Sequence, residues 1–164
     1  MEAIKGTRLI YLYRVAEDAS TDDGTRLAFV TEDGITVSKD ADATITKDGT
    51  IRTPSAAEIE KTMSVIMAQD DTMLPKLKDA MLNDKLVEVW EANLDEPVGS
   101  GTNKFSGTYY QGYITAFDVT ANAEGMVEVS ITIGINGKGA EGDVTVPASQ
   151  QEDASYVFVD TPRA

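Results

Sequence analysis

The strongest constraint on the fold of this chain is a pair of segments in which apolar and polar residues alternate. In residues 126–135 (MVEVSITIGI), valine or isoleucine occupies every second position from Val127 to Ile135. Residues 108–119 (TYYQGYITAFDV) precede this segment and are rich in aromatic and β-branched residues. Because successive side chains of a strand point to opposite faces, the pattern predicts two long neighbouring strands with one buried face and one wet face.

Shorter segments of the same character predict further strands, at residues 7–15, 25–31, 85–92, 142–146 and 156–159. Residues 43–52 (ATITKDGTIR) predict a hairpin closed at Lys47-Asp48-Gly49, because Asp-Gly is a strong signal for a tight turn. Residues 58–67 suit either a helix or a strand, and their content of Thr, Val and Ile favours the strand.

One helix is predicted, over about residues 72–83. Leu74, Leu77 and Met81 form a single apolar stripe at helical spacing, and Pro75 is tolerated only in a first helical turn. With eight or nine strands and this helix, the sequence predicts a mainly β fold, a β-sandwich or barrel with one flanking helix. The length of 164 residues suits a single domain.

Composition excludes most enzymatic chemistry. The chain contains no histidine and no cysteine, so it has no disulfide, no thiol nucleophile and no imidazole base or ligand. Its formal net charge of −14 repels nucleic acid and anionic lipid. The N-terminal residues show no signal-peptide pattern, and no segment approaches the roughly 20 apolar residues that cross a membrane. We therefore expect no cofactor, no metal site and no membrane association.

Two ligand-binding motifs fail on inspection. Residues 137–142 match G-x-G-x-x-G, but the following residues predict a strand where a dinucleotide site needs a helix, so we interpret them as a glycine-rich turn between strands. Neither Gly24 nor Gly49 fits the sixth position of an EF-hand loop, because the required acidic ligands are absent. The acids of the 17–25 loop are interpreted as solvated.

Two further clusters are interpreted as structural. Glu88 and Glu91 flank Trp90, and a carboxylate pair can hydrolyse glycosides without histidine, but we expect them to be solvent-facing charges beside a core tryptophan. Tyr109, Tyr110 and Tyr113 lie on one predicted strand without neighbouring cations. They are expected in core or interface packing rather than in base stacking.

Several of these segments, in order and spacing, resemble one known family. They are residues 4–14 (IKGTRLIYLYR), 46–54 (TKDGTIRTP), 84–94 (DKLVEVWEANL), 109–139 and 156–161 (YVFVDT). Together they resemble the major tail protein of long, non-contractile-tailed bacteriophages of the lactococcal type, across nearly the whole chain.

The resemblance implies a structural virion protein with a tail-tube fold that self-assembles into stacked rings, usually of six. It implies a single domain over residues 1–164, with assembly arms at about 1–8, at a hairpin of about 38–55 and at about 147–164. It also implies a location in the virion tail, assembly in the host cytoplasm, and partnership with tape measure and tail-terminator proteins. Genomic DNA would pass through the tube without specific binding.

The wet faces of the two long strands are the expected lining of the lumen, with Gln111, Thr115, Glu128, Ser130 and Thr132 as candidates. The expected contacts between rings or subunits are Ile4, Lys5, Lys47, Asp48 and Gly49. Ring closure would pair the open edges of the sheet, which otherwise need protection. The alternative function is a small β-sandwich module that binds a host-surface glycan, for which a single tryptophan is thin support.

Overall fold

Six of the strands form one antiparallel sheet, and two more form a separate hairpin. A computed structural model describes residues 1–99, 103–151 and 161. Within these residues the helices are α1 (Met73–Leu82) and the short α2 (Ala148–Gln151). The strands are β1 Leu9–Val15, β2 Val30–Ser38, β3 Ala41–Thr46, β4 Gly49–Pro54, β5 Glu58–Ile66, β6 Val87–Pro97, β7 Lys104–Thr120 and β8 Glu128–Thr145.

The order of strands in the large sheet is β1-β6-β7-β8-β5-β2, and β3 pairs only with β4. β1 and β2 are the two edges of this sheet, yet the Tyr13 hydroxyl on β1 lies 3.4 Å from the Asp33 carboxylate on β2. The sheet therefore curls until its edges approach each other. The predicted mainly β fold with one flanking helix is confirmed, in its barrel-like form.

The main core lies inside this curl. Alternate residues of β5 and β8, including Met63, Val65, Val129, Ile131 and Ile133, are buried there together with Leu74 and Leu77 of α1. The strand prediction for 58–67 and the alternation predicted for 126–135 are confirmed. A second, smaller cluster joins Ile10 and Leu12 of β1 to Leu94, Phe105 and Val144.

Helix α1 is confirmed close to its predicted bounds, and its N-terminus is capped by the side chain of Asp71, one residue before the N-cap position. Thr72 makes no capping hydrogen bond through its side chain. The Asp71 carboxylate instead accepts hydrogen bonds from the backbone N–H groups of Met73 and Leu74, at 2.8 and 3.4 Å. A carboxylate in this place satisfies free N–H groups and complements the positive end of the helix.

The strand prediction for residues 25–31 is wrong. Thr25 forms only an isolated bridge, with Tyr13, residues 26–29 lie in no strand, and β2 begins at Val30. Phe29 has a φ of +55°, which interrupts an extended chain. Leu27 is buried in the main core, so its apolar character reflects packing of an irregular segment.

The turn predicted at residues 137–142 is also wrong, because these residues lie inside the 18-residue strand β8. Tyr109 pairs with Ala140 and Gln111 with Asn136, so the extra residues on β8 form a bulge. Gly137 and Gly139 supply the positive φ angles that the bulge requires, +70° and +78°. Residues 142–145 consequently continue β8, and the predicted strand 142–146 is not a separate element.

The predicted hairpin is confirmed as β3 and β4, with Lys47 and Asp48 at its tip. Thr46 pairs with Gly49, whose φ of +122° suits glycine. The strand predicted at 156–159 lies outside the described residues.

Candidate assembly surfaces

The outward side chains of β5 and β2, together with those of residues 111–120 of β7 and 128–136 of β8, form a continuous polar surface, here called the polar strand face. Strand register aligns them in rows across the four strands. One row runs Asp118–Ser130–Ser64–Glu32 and the next runs Ala116–Thr132–Thr62–Gly34. The residues that alternate with them along β5 and β8 point to the other face and lie in the main core.

The polar strand face carries acids without cations at its described outward positions. The acids are Glu32, Glu58, Glu60, Asp118 and Glu128. A surface of this composition repels polyanions, because no ammonium or guanidinium is present to neutralise a phosphate.

The structure brings the five residues expected to line a lumen onto this face. Glu128, Ser130 and Thr132 follow one another on β8, and the Thr115 hydroxyl donates a 3.3 Å hydrogen bond to the Thr132 carbonyl. Gln111 lies at the border, where its side-chain amide donates to the Tyr109 hydroxyl at 2.8 Å.

Sequence reasoning named only two of the four strands on this face. The missing signal was the alternation in β5, where Glu58, Glu60, Thr62 and Ser64 fall between the buried residues. β2 was missed, because the predicted strand at 25–31 includes only its first two residues.

The four strands that carry the polar strand face, here called the four-stranded surface, have an unpaired strand edge on each lateral side. β2 pairs with β5 on one side and has no partner strand on the other in the described part of the chain. β7 pairs with β6 only through Phe105–Gly112, so its residues 113–120 likewise have one free edge. Free edges are templates for pairing with another chain.

The β3–β4 hairpin is almost entirely exposed. Every residue of the two strands except Thr46 is exposed, and Ile45 and Ile51 are 87% and 58% exposed. Lys47, Asp48 and Gly49, expected in contacts between subunits, are at its tip. A protruding hairpin with exposed isoleucines fits a contact with another molecule.

The N-terminal segment contacts the end of β6 through residues 6–8. The Arg8 guanidinium pairs with Asp95 at 2.9 Å and donates to the Leu94 carbonyl at 3.1 Å. Ile4 is 53% exposed, and Lys5 is exposed as well. The structure does not bring these two residues into contact with the hairpin tip in any described hydrogen bond or ion pair.

A buried lysine forms an ion pair inside the curled sheet, and sequence reasoning missed it. Lys61 has no exposed side-chain surface, and its Nζ donates to Asp33 Oδ1 at 2.7 Å and to the Thr62 carbonyl at 2.9 Å. The ammonium also lies 3.9 Å from the ring centroid of Tyr11. The signal for it was a lysine between Ile59 and Met63 on the buried face of a strand.

Burial governs the titration of this network. It lowers the pKa of Lys61, and the Asp33 carboxylate opposes that shift. It raises the pKa of Tyr13, and it raises the pKa of Tyr11 together with the hydrogen bond from the Tyr11 hydroxyl to Glu91. The tyrosines therefore remain neutral in the folded chain well into alkaline solution.

The expectation that Glu88 faces solvent is wrong. Glu88 is 8% exposed and accepts hydrogen bonds from Arg14 at 2.6 Å and from the Tyr109 hydroxyl at 2.7 Å. Glu91 belongs to the opposite face of β6, where it accepts from Tyr11 at 2.7 Å. The two carboxylates thus cannot act on one bond.

The aromatic residues near Glu88 pack against protein groups. Trp90 lies 5.3 Å from Tyr109 between ring centroids, and the Arg14 guanidinium lies 4.9 Å from the Trp90 ring. This arrangement offers no open aromatic platform for a sugar. Tyr113 is 45% exposed on the polar strand face.

Among the described residues, no group of three or more acidic side chains is arranged to hold a metal ion. No helix in that part of the chain is both long and apolar enough to cross a membrane.

Comparison with known proteins places this chain in one family. The family model described as phage tail tube protein matches residues 3–140. A protein of Staphylococcus phage phiMR25, described as a tail protein, is 30% identical over 159 residues, which covers 94% of this chain and 81% of that protein.

Solved structures show the same fold. The tail tube of phage SPP1 aligns with a TM-score of 0.80 and 21% identity, covering 98% of this chain and 93% of that one. A tail chain of a gene transfer agent particle, solved with C6 symmetry, aligns with a TM-score of 0.65 and 11% identity, covering 84% and 98%. A chain of the sheath–tube complex of an extracellular contractile injection system aligns with a TM-score of 0.56 and 14% identity, covering 87% and 93%.

Proposed function

Because the chain belongs to the phage tail tube protein family, we propose that six copies close into a ring and that such rings stack into the tube of a virion tail. The chain is a structural protein of the phage tail, and its family is not one of enzymes. The observation that carries the proposal is the four-stranded surface with a free edge on each side, at β2 and at residues 113–120 of β7. Pairing β2 of one copy with β7 of the next pairs both of these edges in every copy once the ring closes.

The six-fold symmetry of the gene transfer agent tail supports a ring of six. In such a ring the four-stranded surfaces of all copies join into one continuous barrel. The main core and α1 then lie outside it, since they cover the opposite face of the same strands.

The polar strand face lines the bore in this arrangement, with Gln111, Thr115, Glu128, Ser130 and Thr132 among the lining residues. Its acids repel the phosphates of DNA, so DNA can pass without binding to the wall. A fixed cation would instead replace counterions of the duplex and hold the duplex in place. The absence of Lys and Arg at the described outward positions supports this role.

The exposed segments supply contacts beyond the ring. We assign contacts between subunits or successive rings to the hairpin tip at Lys47, Asp48 and Gly49, and to Ile4 and Lys5 of the N-terminal arm. Most of the C-terminal segment proposed as a third arm, residues 147–164, lies outside the described residues. Assembly in the host cytoplasm, on a tape measure protein and with a terminator protein at the end of the tube, completes the proposal. The terminator is suggested by a similar fold in an extracellular contractile injection system, whose solved structure includes a sheath/tube terminator.

Engineered disulfides test the edge pairing, because the natural chain has no cysteine. One cysteine replaces Glu32 or Thr36 on β2, and a second replaces Tyr113 or Asp118 on β7. Within one copy these strands are separated by β5 and β8, roughly 14 Å in total, whereas a disulfide needs Cα atoms within about 7 Å. Oxidation should therefore give a ladder of covalent oligomers that ends at six.

Each single-cysteine variant is the control and should give dimers at most. Negative-stain microscopy of the same samples should show rings or tubes. Tubes without a ladder in any combination would refute the β2–β7 pairing. A protein that stays monomeric at high concentration and binds glycans would support the alternative function instead.

A further inference from the structure

The four-stranded surface has an apolar group at each end, along the direction of its strands. At one end Phe29 precedes β2, Met67 follows β5, and Val119 and Met126 adjoin the β7–β8 connection, with exposed fractions of 65%, 41%, 52% and 72%. This group is called the apolar end. At the other end, between β2 and β5, the hairpin protrudes.

One face of the hairpin is apolar and cationic. Pairing of Ala43 with Arg52 and of Ile45 with Thr50 places these side chains on one side, here called the Ile45 face, together with Ala41 and Pro54. Arg52 is its only charged residue. The opposite side carries Ile51 and Asp42, and Ile51 is less exposed than Ile45, 58% against 87%.

The apolar end has the complementary charge. Glu124 and Glu128 lie within two residues of Met126. No Lys or Arg occurs in residues 27–38, 62–75 or 105–137, the segments that build this end. Two exposed methionines give it an adaptable apolar surface.

Phe29 adds a separate indication. It is held with a φ of +55°, a conformation uncommon for a bulky residue, while its side chain is exposed. A strained backbone that presents an aromatic side chain to solvent points to a binding role.

The apolar end and the Ile45 face cannot contact each other within one copy. β2 and β5 have nine residues each, which separates the ends by roughly 26 Å. The six-residue strands of the hairpin extend only roughly 20 Å.

We propose that the Ile45 face of one copy docks on the apolar end of a second copy of this chain in the next ring, with Arg52 against the acids beside Met126. This inference rests on the proposed tube function and adds the acceptor surface and the orientation. It makes each ring polar, with a hairpin side and an acceptor side, so that stacking is head to tail and open-ended.

Charge exchange tests the contact. Arg52→Glu alone, and Glu124→Arg with Glu128→Arg, should each lower the polymerised fraction in a sedimentation assay by roughly tenfold, because like charges then face each other. The three changes together should restore tubes to near the level of the unchanged protein. Circular dichroism should show native spectra throughout, since all three side chains are exposed.

The two isoleucines provide a matched pair. Ile45→Asp should suppress tubes, while Ile51→Asp on the opposite face should leave the polymerised fraction within about twofold of the unchanged protein. Equal effects of the two, or no rescue by the triple change, would refute this inference while the unchanged protein still forms tubes. Failure of the unchanged protein to form rings or tubes would refute the proposed function itself.

Discussion

The ammonium of Lys61 on β5 donates a 2.7 Å hydrogen bond to the Asp33 carboxylate on β2, and the lysine side chain is completely buried. The two residues are diagonal neighbours, because Asp33 pairs with Met63 and Lys61 with Ile35. Tyr13 reaches the same carboxylate from β1, the far edge of the sheet. The pair thus lies where the two edges of the curled sheet meet.

Removing the carboxylate should destabilise the subunit more than removing the ammonium. Asp33→Ala leaves an unpaired charge fully buried and should lower the free energy of unfolding by about 3 kcal/mol. Lys61→Met should cost less than half of that, since Asp33 is 20% exposed and can reach water. Urea unfolding of both variants and of the combined variant measures the coupling. Equal costs for the two single variants would contradict this account.

Gly112 should not tolerate a side chain. A Cβ at this position would overlap the backbone carbonyl of Gly134 on the paired strand β8. The backbone has no room to move without breaking the β7–β8 pairing, so Gly112→Ala should lower the free energy of unfolding by about 2 kcal/mol or more.

Gly142→Ala is the matched control for this change, because a Cβ there meets nothing within 4 Å. Thermal unfolding followed by circular dichroism should show little change for it. A similar loss in both variants would indicate that alanine acts through general strand effects and not through the contact with Gly134.

Alkaline solution should destabilise the subunit through its buried tyrosines. The pKa values of Tyr11 and Tyr13 are raised from 10.0, so above pH 10 the unfolded chain loses phenolic protons that the folded chain keeps. The free energy of unfolding then falls as pH rises. Lys61 acts in the opposite direction, but only up to its unfolded pKa of 10.5.

Unfolding temperatures measured between pH 9 and 11.5 at one protein concentration check this prediction. The decline above pH 10.5 should be shallower in Tyr13→Phe, whose ring keeps its packing but cannot ionise. An identical slope in this variant would show that other groups control alkaline unfolding.

Reversing the acids of the polar strand face should affect DNA passage and not assembly. Replacing Glu60 and Asp118 with lysine in a phage that carries this subunit should leave tubes of normal appearance in electron micrographs. DNA release triggered in vitro should slow, most strongly at low salt, because the added cations bind phosphates. Glu141→Lys, exposed but outside this face, is the control. Unchanged release in the double variant would argue against an acidic bore.

Much of the fold was predictable because its strongest elements follow local periodicity. The alternation in β8, the stripe of Leu74 and Leu77, and the hairpin turn before Gly49 each depend on near neighbours in sequence. The elements that were missed depend on distant contacts. Leu27 is apolar because it packs in the core without being in a strand, and the bulge at Gly137 and Gly139 exists because β7 continues beside it.

The candidate surfaces were predicted in part for the same reason. The wet side of β8 was evident from its alternation. The contribution of β2 required knowledge of which strand pairs with β5, and the exposed position of Phe29 depends on a backbone angle that no residue pattern indicates.

The length of β7 and β8 has a mechanical consequence. These two strands contribute Ile114, Val129 and Ile131 to the larger core cluster, and further along they contribute Phe105 and Val144 to the smaller one. Separating β7 from β8 would disrupt both clusters at once. A subunit under axial load should therefore behave as a single rigid body and unfold in one step, with no weak point between the two core clusters.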